Sequence, residues 1–428
     1  MGIWDSLRRF STRRTSVQDS STKRRQGAGK KRLKERGLRL EKFEERILLS
    51  ITTPGLDDQT ADPGFGTPGI SLPGENEIVL YAAADSVDDL RYKVLDNVNA
   101  ADSTNAEDLQ VGGSLGLDLT GSGYTVGVWD GGSVLPTHQE FGDRVTVVDG
   151  ASSHYHATHV GGTIGASGVD PAAQGMATEV EIRSYDWDSD FTEMAADAGL
   201  IDVSNHSYSV VSGWRLFGDP TTTNGLIDIW FGDYSVNQIE DAKFGQYSVG
   251  AAQLDQVLYN NPNLVSAWSA GNDRGDQYYD ASGDDVFVAF LSTDPGLVGW
   301  AGSGFYYLSD TAFAPPGPDG NSGTGYDSVK ADQSAKNNLM VGAVDDVTAD
   351  PYFPSSIAMS SFSGWGPTDD GRIKPDVVGN GIDLYSPFDG SDTDYGTISG
   401  TSMSSPNVAG SSLLLIEHFE NTMGYSPL

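Results

Sequence analysis

Five short apolar runs constrain this chain more than any other feature. Tyr124 to Trp129, Val180 to Tyr185, Leu200 to Ser204, Leu264 to Ser269 and Leu339 to Val344 are each five or six residues long. That length suits a buried strand and is too short for a core helix. The stretches between them carry helix-like patterns, the clearest placing Tyr247, Ala251, Leu254 and Leu258 at i, i+4, i+7 and i+11. Strands that alternate with helices imply an α/β fold, a mostly parallel doubly wound sheet flanked by helices and joined by right-handed crossovers. Chemistry in such sheets gathers beyond the carboxyl ends of the strands. The first run ends there at Asp130, followed by Gly131 and Gly132. Taken alone, Asp130 reads first as an Asx-turn residue closing a strand.

Near the other end, Gly400 to Gly410 reads G-T-S-M-S-S-P-N-V-A-G. It places Ser402 between a glycine turn and a helix start, with Pro406 suited to a first helical turn and Val408, Ala409, Leu413 and Ile416 forming a buried face. The unpaired amides and positive end of a helix favour developing negative charge, which makes Ser402 a candidate nucleophile. A serine hydroxyl needs a base to take its proton. His156 supplies one at the first turn of a predicted helix that continues through Val160 to Ile164. His159 lies three residues on, nearly on the same face, so the pair also fits a metal site, although no Glu lies between them and the chain has no cysteine.

Three stretches resemble the signatures of the subtilisin-like serine proteases, the subtilases, in that family's order. Val126 to Asp130 with Gly131 and Gly132 is similar to its aspartate motif, His156 to Thr163 (H-A-T-H-V-G-G-T) to its histidine motif, and G-T-S-M-S-S-P to its serine motif. The resemblance covers residues 110 to 418. It implies serine endopeptidase activity on polypeptide substrates, with Asp130, His156 and Ser402 as a catalytic triad and an acyl-enzyme intermediate. Leu264 to Asn272, ending A-G-N, resembles the family's oxyanion segment and implies Asn272 as a donor beside the backbone N–H of Ser402. Ser204 to Tyr208 resembles the edge segment that pairs with extended substrate, which implies Ser207, Tyr208 and Gly271 as substrate-binding residues. His206, His159 and His154 take structural or spectator roles under this resemblance. No cofactor is required and no metal ligand is assigned; calcium is left open as a structural ion, because acidic clusters such as Asp280 to Asp285 and Asp392 to Asp394 offer carboxylates while Gly168 to Gly175 is short for the calcium loop of typical subtilisins.

Charge divides the chain. Residues 1 to 46 hold 15 Lys and Arg against 6 Asp and Glu, while the remainder holds 11 against 54. The start reads as a basic, disordered leader over 1–50, or as an arm for nucleic acid or a membrane surface. Leu40 to Ser50 resembles, approximately, a short motif found near the start of large bacterial surface and secreted proteins, from which an extracellular or cell-surface location is inferred, without the apolar stretch of a secretory signal. A Pro/Gly/Asp-rich linker or short pro-segment remnant follows over 51–107, with a predicted strand at Ile78 to Ala82 and a short helix at Val87 to Val94. The peptidase domain occupies 108–428. Its acidity repels polyanions, so nucleic acid is not expected as a partner of the folded part. No run approaches the length of a membrane span.

The chain ends at Leu428, soon after the predicted serine helix, where the family carries further elements. The domain is therefore expected to be C-terminally incomplete, with apolar surface left exposed, and the alternative function is a non-catalytic surface or adhesion protein carrying a truncated subtilase module. Two long insertions, Trp214 to Tyr247 and Asp276 to Ser334, are expected to wall the cleft.

Overall fold

An interior strand of the sheet, next to its middle one, carries Asp130 at its carboxyl end. In the computed structural model, seven strands lie in the spatial order Val377–Asn380, Leu339–Val344, Val265–Ser269, Val203–His206, Thr125–Asp130, Glu181–Asp186 and Val145–Val147, and every neighbouring pair is parallel. The chain therefore winds outward from the Asp130 strand in one direction, returns, and continues in the other. That reversal puts Asp130 at the topological switch point, where doubly wound sheets open a crevice. The structure describes residues 78–82, 91–94, 98–218, 226–232, 236–237, 239–277, 288–291, 305–308, 316–320, 324–347 and 353–427. All belong to one unit, Gly66–Leu428. The leader and the acidic cluster at 280–285 lie outside the described residues.

Alternation along the strands assigns the two faces. Val126 and Val128 point, with Val203, Ala267 and Val341, into a core closed by Val160 and Ile164 of the helix Tyr155–Gly165 and by Met403, Ala409 and Leu413 of the helix Thr401–Met423. Asp130 continues that same alternation, so its carboxylate faces the helix bearing His156. On the opposite face Trp129, Tyr185 and Trp268 pack with Met194, Leu254 and Leu258 of the helices Asp190–Asp197 and Val249–Asn260. Strand register makes a continuous aromatic stack there: Tyr185 on Trp129 at 4.1 Å, Trp129 on His206 at 5.1 Å, and His206 on Trp268 at 3.9 Å, with interplanar angles of 10° or less. Burial in this stack pushes His206 well below the usual imidazole range.

Four local expectations change, the first being the run Leu200 to Ser204, whose strand begins only at Val203 and ends at His206. Residues Arg91–Val94 form a strand paired antiparallel with Ile78–Ala82, not the end of a helix; alternating Arg91, Tyr92, Lys93 and Val94 suit the two-residue period of a ladder. Tyr247 lies before the helix that begins at Val249, because the Ser248 hydroxyl caps it by accepting from Ala251 N at 2.9 Å. Pro406 sits inside the serine helix, which already begins at Thr401. Of the insertions, the first contains an antiparallel pair, Trp214–Gly218 with Leu226–Trp230, and the second another, Val288–Leu291 with Phe305–Leu308.

One buried carboxylate holds the loop after the histidine helix. Glu140, 0% exposed, accepts from the backbone N–H of Gly168, Val169 and Asp170 at 2.7–2.9 Å and from the Tyr395 hydroxyl at 2.7 Å. Removing it leaves three consecutive amides of a partly exposed loop without their acceptor, so Glu140→Ala should lower stability by roughly 2 kcal/mol. Urea denaturation measures this directly, and a loss under about 1 kcal/mol would show that water replaces the carboxylate without strain.

Candidate active site

Asp130 and His156 meet as the strand alternation requires. His156 lies on the first turn of Tyr155–Gly165, and its Nδ1 approaches both carboxylate oxygens of Asp130, at 2.8 and 2.9 Å. Asp130 is 2% exposed and its Oδ1 also accepts from Gly131 N at 2.8 Å. Oδ1 is thus shared between the Gly131 amide and the imidazole, while Oδ2 faces the imidazole alone. Gly132 has φ +132 and would, with a Cβ, meet the Ser152 carbonyl and the His154 Cβ at 2.9 Å, so the turn below Asp130 admits no side chain. Burial pushes the His156 imidazole down, but the Asp130 charge and hydrogen bond outweigh it and the group titrates above its ordinary range.

His159 does not join them as a ligand. Its Nε2 lies 2.9 Å from the Leu384 carbonyl, and burial pushes its pKa down to about 3, so it is a neutral donor to the backbone. His154 occupies the N-cap position of the same helix with its ring against Tyr155.

Ser402 is the second residue of the serine helix. Pro406 lacks the N–H that would otherwise bond the carbonyl four residues back, and that carbonyl belongs to Ser402. The vacancy is filled by Ser207, whose Oγ donates to Ser402 O at 2.9 Å, while Ser402 Oγ donates to Ser207 O at 3.0 Å. Asn205 extends the clasp: its Nδ2 donates to Ser207 Oγ at 3.0 Å and its Oδ1 accepts from Ser405 Oγ at 2.8 Å. The resemblance implied Ser207 as a substrate-binding residue; in the structure its side chain bonds the backbone of Ser402. Ser402 Oγ and His156 share no hydrogen bond in this state. Catalytic hydrogen bonds of this kind commonly tighten only when substrate arrives.

Asn272 is anchored by its oxygen. Its Oδ1 accepts from Thr401 N and from Thr401 Oγ1, each at 2.8 Å, and Gly271 N donates back to Thr401 Oγ1 at 3.1 Å. The Asn272 amide Nδ2 therefore faces outward, and neither it nor Ser402 N has an acceptor among the described residues. A methyl group on Gly400 would stand 3.3 Å from Nδ2 and 3.6 Å from Ser402 N, so this glycine keeps open a spot flanked by both donors. Thr401 and Asn205 were not singled out in the sequence. Both are small polar residues beside stronger signals, and only the fold shows what they touch.

Tyr208, the other expected edge residue, uses its hydroxyl inside the protein: it donates to Asp190 Oδ2 at 2.7 Å and lies 2.8 Å from His206 Nδ1. Its main-chain carbonyl accepts from Gln333 Nε2 at 2.7 Å. Gly271, with φ +96, forms the bend between the strand and Asn272.

The order Asp, His, Ser along a parallel sheet, with the serine at a helix start, is that of the subtilisin class. The subtilase family model (Peptidase_S8) matches residues 121–427, and the chain belongs to that family. It is 25% identical over 320 residues to the serine protease/ABC transporter B family protein tagB of Dictyostelium discoideum, covering 68% of this chain and 16% of that protein. It is also 46% identical over 66 residues to the C5a peptidase of Streptococcus pyogenes, covering 15% of this chain and 6% of that protein. The chain thus spans only a small part of the length of these curated relatives. Among solved structures it is similar to a cold adapted subtilisin-like serine proteinase, at 20% identity over 70% of this chain and 78% of that one with a TM-score of 0.38. A second is the CspB protease of Clostridium perfringens, at 16% identity over 75% and 87% with a TM-score of 0.46. No described helix is long and apolar enough to cross a membrane.

Proposed function

We propose that this chain is a serine endopeptidase acting through Asp130, His156 and Ser402. The observation that carries the reading is the twofold approach of His156 Nδ1 to a buried carboxylate. It fixes the tautomer that leaves Nε2 free to accept a proton, and it stabilises the imidazolium once formed. Substrate would lie along Ser207 and Tyr208, and Ser402 Oγ would turn from the Ser207 carbonyl toward His156 and attack the scissile carbonyl. The tetrahedral oxygen would draw on the two unclaimed donors, Asn272 Nδ2 and Ser402 N. His156 then passes its proton to the leaving amine, and the acyl-enzyme is hydrolysed by water that His156 activates in turn. Polypeptides are the substrate class, and an extracellular or surface location suits the reading.

A pH–rate profile tests it. Neutral His156 is the working base, and Asp130 favours the protonated form, so kcat/KM should rise with pH through a midpoint above the ~6.5 of a free imidazole. Below that midpoint the rate falls about tenfold per pH unit, because one proton blocks the base. A rate that stays flat between about pH 5 and 9 would rule out histidine as the base.

A further inference from the structure

Beneath the oxyanion turn lies a lysine that the proposed reaction does not use. Lys330 is 0% exposed, and its Nζ pairs with Asp273 Oδ2 at 2.6 Å. Asp273, 1% exposed, is the residue after Asn272 and also pairs with Arg215 of the strand Trp214–Gly218. The lysine stem runs under Gly271, where a Cβ would meet Lys330 Cγ and Cε at 3.0 Å and Asp273 Oδ2 at 3.2 Å. Burial pushes the ammonium well down and Arg215 adds to this, while Asp319, Asp241 and Asp276 oppose it. Packing alone does not call for such an arrangement, since apolar side chains of similar volume commonly replace buried ion pairs without loss.

Position explains it better. The side chain of Asn272 is held through one atom, Oδ1, and its direction otherwise depends on the backbone of Gly271 and Asp273. Gly271 is confined from below by the lysine stem, and Asp273 is tied down by the lysine head. Three residues on from Lys330, Gln333 donates to the Tyr208 carbonyl. We propose that the buried Lys330–Asp273 pair is a positioning device for Asn272, holding the Gly271–Asp273 turn so that the Asn272 amide points at the spot beside Ser402 N. Both are positioning residues, because neither reaches the reacting atoms. The proposal rests on the peptidase reading of the site.

The test is a mutant cycle in the full chain, with Lys330→Met keeping a stem of similar length and removing the Nζ that contacts Asp273. Displacing an oxyanion donor by a fraction of an ångström should lower kcat about 10- to 100-fold with KM within about twofold. In an Asn272→Ala background the same substitution should cost almost nothing further, since its target is gone. Equal losses in both backgrounds, or an unchanged kcat, would overturn the proposal and leave Lys330 a structural residue. Should Lys330→Met fail to fold, Asp273→Asn, which keeps shape and hydrogen bonding, enters the same cycle with the same expectations. A crystal structure of the folded variant gives an answer independent of turnover: the contact from Thr401 N to Asn272 Oδ1 should lengthen from 2.8 Å by roughly half an ångström, and an unchanged distance would count against the proposal. An inactive wild-type protein would sink the peptidase reading, and the crystallographic comparison would still decide the role of Lys330.

Discussion

Ser402→Ala should lower kcat for peptide hydrolysis by about a millionfold, the loss seen when one member of a triad acting as a unit is deleted. The reasoning is geometric. Ser402 Oγ is the only atom of that side chain beyond Cβ, and both of its backbone groups stay in place without it: Ser402 O remains bonded by Ser207, and Ser402 N remains a donor. Substrate binding through Ser207 and Tyr208 should survive, so KM changes little while turnover collapses. Stability should change by less than about 1 kcal/mol, because the lost hydroxyl makes one hydrogen bond, to Ser207 O. Progress curves with a fluorogenic peptide separate the two. A loss smaller than about a hundredfold would mean that another group attacks the carbonyl.

Asp130→Asn should cost about 10⁴ in kcat with the fold intact. Asp130 Oδ1 accepts from Gly131 N as well as facing His156. An asparagine would keep its single oxygen for the Gly131 amide and turn its NH₂ toward Nδ1. The imidazole proton would then move to Nε2, where it blocks acceptance of the serine proton. Loss of the carboxylate charge also removes what raises the His156 pKa, so the residual activity should show a pH midpoint lower than that of the wild type. A variant with the wild-type midpoint would show that Asp130 is not the group that controls His156.

The sheet and its reactive corner were legible because their signals are local. Val180 to Tyr185, Leu264 to Ser269 and Leu339 to Val344 match observed strands to within a residue, since a buried parallel strand needs an unbroken apolar run and little else does at that length. The approach of His156 to Asp130 was implied by the resemblance of their two motifs to those of the subtilases, and in the fold a strand end and the first turn of a helix bring them together. Boundaries were harder. Pro406 suggested a helix start, and the helix begins five residues earlier because Ser207 supplies the hydrogen bond that proline forfeits to Ser402. That compensation comes from a residue 195 positions away, which no window along the sequence can show.

Residues that act through distant partners were not legible at all. Glu140 is one of 60 acidic residues, and only the fold reveals three amides from a later loop converging on it. Lys330 lies in the long insertion expected to wall the cleft, and nothing along the sequence sets it apart, yet it is buried against Asp273. His206 was expected to be structural, but its place in a four-ring stack depends on the register of four strands.

Labelling with a fluorophosphonate, followed by peptide mapping, tests the central claim most directly. The account predicts one adduct, on Ser402, that is lost in Ser402→Ala and nearly lost in His156→Ala, because phosphonylation needs both the hydroxyl and its base. A folded wild-type protein that takes no label, or that is labelled equally well without His156, would contradict it.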